Sequence, residues 1–487
     1  MISREALALA AIAAPAASAL AAGVAPRRAV QSISIAGAIV SAGFAGALSA
    51  VALASPHQSH VGAWLVVDAA AGLMVGVTGF VGLASVLVSP LYLSTVSVAL
   101  VRSERRARVY YALLFAFWTA VVSVPLVGNL GGAWLVVEGT TAASALLVGF
   151  SGRPRALEAG WKYLILTSLG LGVALLGIVL LAAASSGGGL DALSWRELGH
   201  MHAGHDATLV AYVLLVAGLA AKIGWAPVHN WLPDAHSEAP APISALLSAV
   251  LLPSVLLVAW RASNALTPSI GGTTAQSVLL GFGLLSLAVA VPFLWQRLPW
   301  KRLLAYSSLE HMGVVAIGIG FGTPLALAGV AVHIAGHALA KALGFYAAIP
   351  LLGHEPSAGT HAAGGVARTQ PALATIMGAS IGALAGLPPS PLFASEVLIV
   401  AGGFAAGRPW TATISALLLA LGFLGLAHAL IETTVGDAPS RDRRVAPGIR
   451  GVTALAGVTV ACLLALAAAA LWLPGGDLAR ALVDGIR

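Results

Sequence analysis

Glu138, Lys222, His333, His337, Lys341 and Glu396 interrupt stretches that are otherwise apolar. Glu138 stands in the run Trp-Leu-Val-Val-Glu-Gly-Thr-Thr, and Lys222 in Ala-Ala-Lys-Ile-Gly. His333, His337 and Lys341 are spaced i, i+4 and i+8, which sets them on one face of a helix. Carboxyl, amine and imidazole groups in series take up and release protons, and imidazole does so nearest neutrality. An ionisable group at membrane depth costs at least about 2.5–3.5 kcal/mol on insertion scales, so its first reading is functional. The chemistry expected is a proton relay. Burial disfavours the charge on Lys222 and a carboxylate nearby restores it, so a changing distance to Glu138 would drive protons on and off the amine. The proton would then pass along His333, His337 and Lys341 toward Glu396.

Structural readings stand beside this one. Glu138 and Lys222 also suit a buried ion pair, and His333 and His337 suit helix packing. His428 is a lone histidine near the end of an apolar run and reads as structural. Glu310 and Glu432 are expected at solvated interfaces, and Asp68 as a helix cap.

The elements that hold these groups follow from composition. Of the 487 residues, 59% are hydrophobic and 9% charged. Soluble domains carry about 25% charged residues, so a lipid bilayer is the outer solvent here. Apolar stretches reach the length that spans a bilayer, about 20 residues, near 5–24, 31–54, 66–96, 108–127, 129–150, 162–183, 207–232, 240–262, 275–296, 303–321, 324–351, 371–404, 410–433 and 451–473. The expected fold is an all-α polytopic membrane protein of about 14 transmembrane helices. The seventh and twelfth segments contain Pro227 and Pro388, Pro389 and Pro391. Proline removes a backbone donor, and broken helices at membrane depth are tolerated where they are buried or line a cavity. Paired broken helices five segments apart suggest two inverted five-helix repeats. The expected divisions are 1–107 (helices 1–3), 108–262 (first repeat, helices 4–8), 263–433 (second repeat, helices 9–13) and 434–487 (a cytoplasmic loop and helix 14).

The net charge of +7 is distributed as membrane topology requires, and it does not call for nucleic acid. One set of alternate loops holds Arg27 and Arg28, the Arg102–Arg108 cluster, Arg153 and Arg155, Arg297, Lys301 and Arg302, and Arg441–Arg450. The opposite set and both termini hold few, among them Arg4, Arg196, Arg261 and Arg408. By the positive-inside rule both termini face away from the cytoplasm of a bacterial or archaeal cell membrane. The first segment resembles a signal peptide in composition, but Arg27 and Arg28 directly after it suit a cytoplasmic anchor.

Other chemistries find little support. The single Cys462 excludes a structural disulfide and a cluster ligated by cysteines of this chain. His200, His202 and His205 could bind a metal, but they sit in a polar loop and read as solvated. No His-Glu-x-x-His, Walker loop or dinucleotide fingerprint occurs. Neither a metal nor a cofactor is expected.

The segment Ala221–Leu247 (AKIGWAPVHNWLPDAHSEAPAPISALL), with His229, Asp234, His236 and Glu238, is similar to the signature of the proton-pumping membrane subunits of complex I and the Mrp-type cation antiporters. Lys301–Gly313, His333–Lys341, Gly386–Glu396 and Ala156–Leu166 most resemble component F of hydrogenase-4. The resemblance covers roughly residues 66–433. It implies fourteen helices in inverted repeats with the seventh and twelfth broken. It also implies relay roles for Glu138, Lys222, His337, Lys341 and Glu396. Pro253 stands where several complex I relatives carry a lysine, so His333 and His337, or ordered water, are expected to bridge the two halves.

Three functions remain open at this point. The chain is expected to be a proton-translocating subunit of a complex I-related or group 4 hydrogenase-type assembly, with other membrane subunits and a separate peripheral redox arm as partners. The alternatives are a sodium/proton antiporter or bicarbonate-uptake subunit, and a scaffold without transport. A stoichiometric flavin, haem or iron–sulfur spectrum in the purified subunit would sink the expectation that it carries no redox group.

Overall fold

In hydrocarbon no water satisfies a peptide group, so an apolar chain closes its backbone hydrogen bonds within helices. The computed structural model describes residues 3–55, 58–61, 64–95, 104–185, 190–201, 204–354, 364–436 and 449–472. Among these, twelve helices are long and apolar enough to cross a membrane. The first six labelled helices are α1 (Arg4–Val24), α2 (Arg27–Ala54), α3 (Ala69–Thr95), α4 (Glu104–Ser123), α5 (Leu130–Val148) and α6 (Pro154–Ala184). After them come α7 (His205–Ile223), the short α8 (Leu232–Glu238), and a continuous helix over Ala241–Ile270, here α9. Then follow α10 (Gly272–Leu294), α11 (Trp300–Phe321), α12 (Pro324–Ala347), α13 (Pro371–Leu384), α14 (Pro391–Ala405), α15 (Pro409–Val435) and α16 (Ile449–Trp472). The expected twelfth segment is therefore two shorter pieces, α13 and α14. The expected fourteenth is α16, whose apolar stretch Thr453–Ala469 is likewise short. Much of the loop expected at 434–448, and the chain beyond 472, lie outside the described residues.

Side-chain caps fix where several helices begin. Asn129 accepts the amide of Gly132 at 2.6 Å at the head of α5, and Thr323 and Ser390 cap α12 and α14 in the same way. The break in the seventh segment starts before its proline. Gly224 sits at φ 80° and ends α7 at Ile223, so the segment does not run on to residue 232 as one helix. The freed chain is stitched to its surroundings: the indole of Trp225 donates to Met312 O at 2.9 Å, the amide of Ala226 to Ser286 Oγ at 3.1 Å, and the indole of Trp231 to Ala221 O at 2.7 Å. At the second break Gly386 has φ 72°. A Cβ there would meet Glu396 Oε2 at 2.6 Å, so only glycine admits both the backbone and the carboxylate.

Three helices, α9, α11 and α12, are the most enclosed. The spanning windows of α9 and α11 are wholly buried, whereas α1, α2, α6 and α15 turn most of their surface outward. The outward faces show residues such as Leu169, Val179, Leu417 and Trp410, which suit lipid. Within α9 the turn over Leu247–Leu251 widens to a π-helix, five residues after Pro242.

A two-stranded hairpin precedes α3. β1 (Ser59–Val61) pairs antiparallel with β2 (Leu65–Val67), and Gly128 N donates to Trp64 O at 2.7 Å. This holds Asp68 at the head of α3, where its Oδ1 accepts the amide of Ala71 at 2.7 Å, as a cap should. Its Oδ2 does more. Arg261 Nη2 donates to it at 2.6 Å, and Arg261 Nη1 donates to Pro125 O at 2.7 Å. Arg261, expected in an exposed loop, is 5% exposed and Asp68 1%. One fork of donors thus joins the starts of α3 and the α4–α5 turn to α9.

Removing one member of a buried pair costs about 3–5 kcal/mol, because the other is left charged and unpaired. Arg261→Met should therefore lower the thermal midpoint of the detergent-solubilised protein. Adding Asp68→Asn, which keeps the cap, should restore much of the loss. A single variant as stable as the parent would show that the pair does not hold these helices together.

Candidate functional site

Lys222 occupies the last turn of α7 and is fully buried. Its Nζ donates to Thr141 Oγ1 at 2.7 Å and to the hydroxyl of Tyr163 at 2.6 Å. The ammonium also lies 4.6 Å from the Tyr163 ring centroid. Ser144 Oγ donates to Thr140 O at 2.5 Å, so its contact of 2.7 Å with Tyr163 must be one in which the phenol donates. The line therefore runs amine to phenol to serine to carbonyl. Every partner of the amine is neutral. A protonated lysine has three donors and a neutral one has two plus a lone pair. Two acceptors match the two N–H groups of the neutral amine, and the third N–H of the ammonium has the Tyr163 ring face beside it.

Glu138 lies on α5 beside this cradle, and Ser168 donates to its Oε1 at 2.7 Å. Its Oε2 is buried without a protein partner. Among the described residues Glu138 and Lys222 form no ion pair, so the buried-pair reading of these two residues is not what the geometry presents. Hydroxyl groups on α5 and α6 surround both.

The second station is on α12. His333, His337 and Lys341 are all fully buried, on the single face that their spacing predicts. Lys341 Nζ donates to Leu304 O on α11 at 2.6 Å. His333 Nδ1 lies 2.8 Å from Ser395 Oγ on α14, and that hydroxyl donates to Leu392 O at 2.7 Å. The hydroxyl has one proton, so it accepts from His333 Nδ1–H. In the neutral ring His333 Nε2 then carries the lone pair, and His311 Nδ1–H donates to it at 3.0 Å. His311 Nε2 is left with no protein partner, and so are both ring nitrogens of His337. Rings 311 and 337 stand 5.2 Å apart. Glu396 follows one residue after Ser395, one turn into α14, with its carboxylate against Gly386.

His311 was not among the residues expected, and Glu310 was expected at a solvated interface. Both are buried near the middle of α11, at 1% and 2% exposure. Glu310 Oε2 has no protein partner, and the carboxylate presses on Gly422 of α15. The signal was available: a helix of 22 residues starting at Trp300 puts positions 310 and 311 at its centre. The expectation that His333 and His337 bridge the two halves also shifts, because the bonds of His333 run to His311 and Ser395, on the side of Glu396.

The other expected residues divide. Asp234 forms ion pairs with Lys162 at 3.5 Å and Arg302 at 3.1 Å, and Glu238 with Arg153 at 3.4 Å. They anchor α8 from outside. His229 is partly exposed in the break, with Pro227 exposed two residues before it, and Pro388 and Pro389 are exposed at the second break. His236 is fully buried. His428 is half-exposed, 3.6 Å from Glu432, which Arg297 holds at 2.6 Å. His200 and His205 join no group of three metal donors among the described residues, and His202 lies outside them. His311, His333 and Glu396 do bring one donor atom each within 4.8 Å of the others, a set that zinc accepts. A metal there would have to displace the proton shared by the two rings.

A cavity of about 180 Å³ lies among the end of α9, the start of α10, the end of α11 and the start of α12, with Ser263, Asn264, Thr267 and Gln276 in its lining. It is large enough for several waters.

Known proteins share this architecture. Residues 127–422 match the family model described as NADH:quinone oxidoreductase/Mrp antiporter, TM. A hydrogenase-4 component F homolog of Methylacidiphilum infernorum is 33% identical over 386 residues, covering 77% of this chain and 80% of that protein. NADH-quinone oxidoreductase subunit N of Desulforudis audaxviator is 28% identical over 438 residues, covering 85% and 83%. A chain of the Mrp complex from Dietzia sp. superposes with a TM-score of 0.83 at 20% identity, over 100% of this chain and 97% of that one. A chain of Thermus thermophilus respiratory complex I does so at 0.81 and 21%, over 99% and 100%. The chain belongs to the NADH:quinone oxidoreductase/Mrp antiporter membrane family, as an antiporter-like multi-pass subunit.

Proposed function

We propose that this chain translocates protons as a membrane subunit of a complex I-related or group 4 hydrogenase-type redox complex in the cytoplasmic membrane, with both termini outward. The observation that carries the reading is the cradle of Lys222: a buried amine held by neutral hydroxyls, which accommodates gain and loss of a proton. Glu138 is the acid that modulates it. His311, His333, His337 and Lys341 continue the path, and Glu396 receives the proton beyond the second break. Amines and imidazoles carry protons, whereas a hard cation such as sodium is held by oxygen ligands, as calcium and magnesium are. The groups along this row favour protons over sodium.

The partners follow from the two ends. Glu138 and Glu396 are partly exposed on flanks that also expose Leu135, at 63%, and Val397, at 51%. Ionisable residues at membrane depth face protein or a water-filled cavity in place of lipid, so other membrane subunits would cover both flanks. The relatedness to a hydrogenase component F and to an NADH-quinone oxidoreductase subunit supports a peripheral redox arm as the source of drive.

The decisive comparison is Lys222→Met alone and with Glu138→Gln, in assembled complex. The relay reading expects both variants to assemble and neither to take up protons into vesicles. A scaffold with a structural charge pair expects poor assembly of the single variant and recovery in the double. Recovered proton uptake in the double variant would end the relay reading. Glu396→Gln keeps shape and removes the charge. It should abolish proton uptake while leaving complex yield unchanged, and normal uptake would remove Glu396 from the path.

A further inference from the structure

Metal ions of the zinc class are held by imidazole nitrogen and carboxylate oxygen converging from elements that packing keeps in place. Three helices bring such a set together here. His311 is near the middle of α11, His333 is on α12, and Glu396 is one turn into α14. One donor atom of each lies within 4.8 Å of the other two. Both imidazoles are buried, at 1% and 0% exposure. The helices behind them approach closely: a Cβ on Gly336 of α12 would meet Pro391 Cγ of α14 at 3.0 Å, and one on Gly329 would meet Ser395 O at 2.8 Å.

The facing nitrogens already have nearly the spacing that a metal needs. His311 Nδ1 and His333 Nε2 stand 3.0 Å apart. Two nitrogens on one tetrahedral zinc, each at about 2.0–2.1 Å, are about 3.3 Å from one another. The protonation is half prepared. His333 Nε2 carries a lone pair because its Nδ1–H donates to Ser395 Oγ at 2.8 Å, and that hydroxyl is fixed by Leu392 O at 2.7 Å. Metal-bound histidines normally have such a support on the other ring nitrogen. His311 now turns its proton toward the same spot. Its Nε2 has no protein partner, so the ring can take the other tautomer without breaking a bond at that nitrogen. The carboxylate of Glu396 makes no hydrogen bond or ion pair among the described residues. It lies over Gly386, in the space that a side chain there would fill, and rotation of its long side chain closes the remaining distance. Beside Gly386 the second break opens: Leu387, Pro388 and Pro389 are exposed, which gives an ion a way in.

We propose that His311, His333 and Glu396 form an inhibitory site for a divalent transition metal of the zinc class. The ion takes His311 Nδ1, His333 Nε2 and one Glu396 oxygen, and keeps a water as fourth ligand. His311 gives its Nδ1 proton to water and takes one at Nε2, so the ring stays neutral. Any proton on Glu396 goes to water, and the metal is neither oxidised nor reduced. Binding rests on the geometry alone. Its consequence rests on the relay reading: the ion occupies the lone pairs and the carboxylate through which protons would pass, so uptake stops while it is bound.

The test titrates the full-length chain in detergent with Zn2+ alone against a colorimetric competitor. Four proteins are compared: the parent, Glu396→Gln, Ser395→Ala, and the loop variant His200→Gln with His205→Gln. The site expects one tight ion per chain in the parent and in the loop variant, and none in Glu396→Gln. Ser395→Ala should bind about 10–100-fold more weakly, the range for removing a partner behind a metal ligand. A parent that binds no ion overturns the site, and so does an ion retained in Glu396→Gln or lost only in the loop variant. If Glu396→Gln does not fold, Ser395→Ala decides: weakened binding supports the site and unchanged binding overturns it. Zn2+ is then added to vesicles holding the assembled complex. Proton uptake halved at the concentration that half-fills the site supports the inhibitory role. Uptake unchanged with the site filled overturns that role and takes these three residues off the proton path. An empty site with uptake lost in Glu396→Gln removes the metal and leaves the relay reading standing.

Discussion

Every charged or polar group placed in hydrocarbon needs a partner, and the nature of the partner decides what the group can do. Asp68 and Arg261 meet in a full ion pair at 2.6 Å with a carbonyl completing the fork. Such a pair serves to join helices. Lys222 is also fully buried, yet its partners are a threonine and a phenol. The same physical constraint thus gives two outcomes in one chain: neutralisation by charge at the hairpin end of α3, and accommodation by neutral dipoles at the end of α7.

Neutral partners come at a cost in backbone order. Both helix breaks free amide and carbonyl groups that lipid cannot satisfy. At the first, the indole of Trp231 and the hydroxyl of Ser286 take up freed groups, the indole of Trp225 ties the turn to α11, and Lys222 lies two residues before Gly224. At the second, Gly386 yields its side-chain space to the carboxylate of Glu396. Proline alone does not explain either break. Glycine at positive φ ends or turns the chain, and the prolines follow in the exposed part of the loop. The titratable groups next to the breaks are therefore held by tertiary packing, with α9, α11 and α12 as the enclosed wall behind them.

Much of this was legible in the sequence. Low charge and recurring apolar runs pointed to a polytopic helical fold, and the run Ala221–Leu247 identified the family. The shared face of His333, His337 and Lys341 followed from spacing alone. What stayed illegible was which polar groups meet. Glu310 was expected at a solvated interface, and His311 beside it was not singled out, in a span whose first half also holds two serines and a tyrosine. Only the enclosure of α11 by its neighbours turns that polarity inward. The hydroxyl cradle escaped for a related reason. Thr141, Ser144, Tyr163 and Ser168 are ordinary residues in membrane helices, and sequence distance hides that they converge on one amine. Arg261 followed the positive-inside count as a loop residue, because hydropathy cannot see an aspartate 193 positions away.

The tautomers add a direction that composition could not. Ser395 is committed as a donor to Leu392 O, which forces the protons on His333 and His311 to point the same way and leaves the lone pair of His311 Nε2 at the far end. A proton arriving there can be passed to His333 only if both rings shift together. It can return to the starting state only if Ser395 reorients or Glu396 takes up the charge beside it. On the proposed reading, a row fixed at Ser395 and open at His311 accepts protons from the interior side and releases them toward α14. The carboxylate beyond the second break then decides when the row is reset. Because Glu396 is a partly exposed residue on a flank that also shows Val397, the reset on that reading is open to whatever packs on the flank. Coupling between this chain and a neighbouring subunit would act at Glu396, without any distortion of the enclosed core.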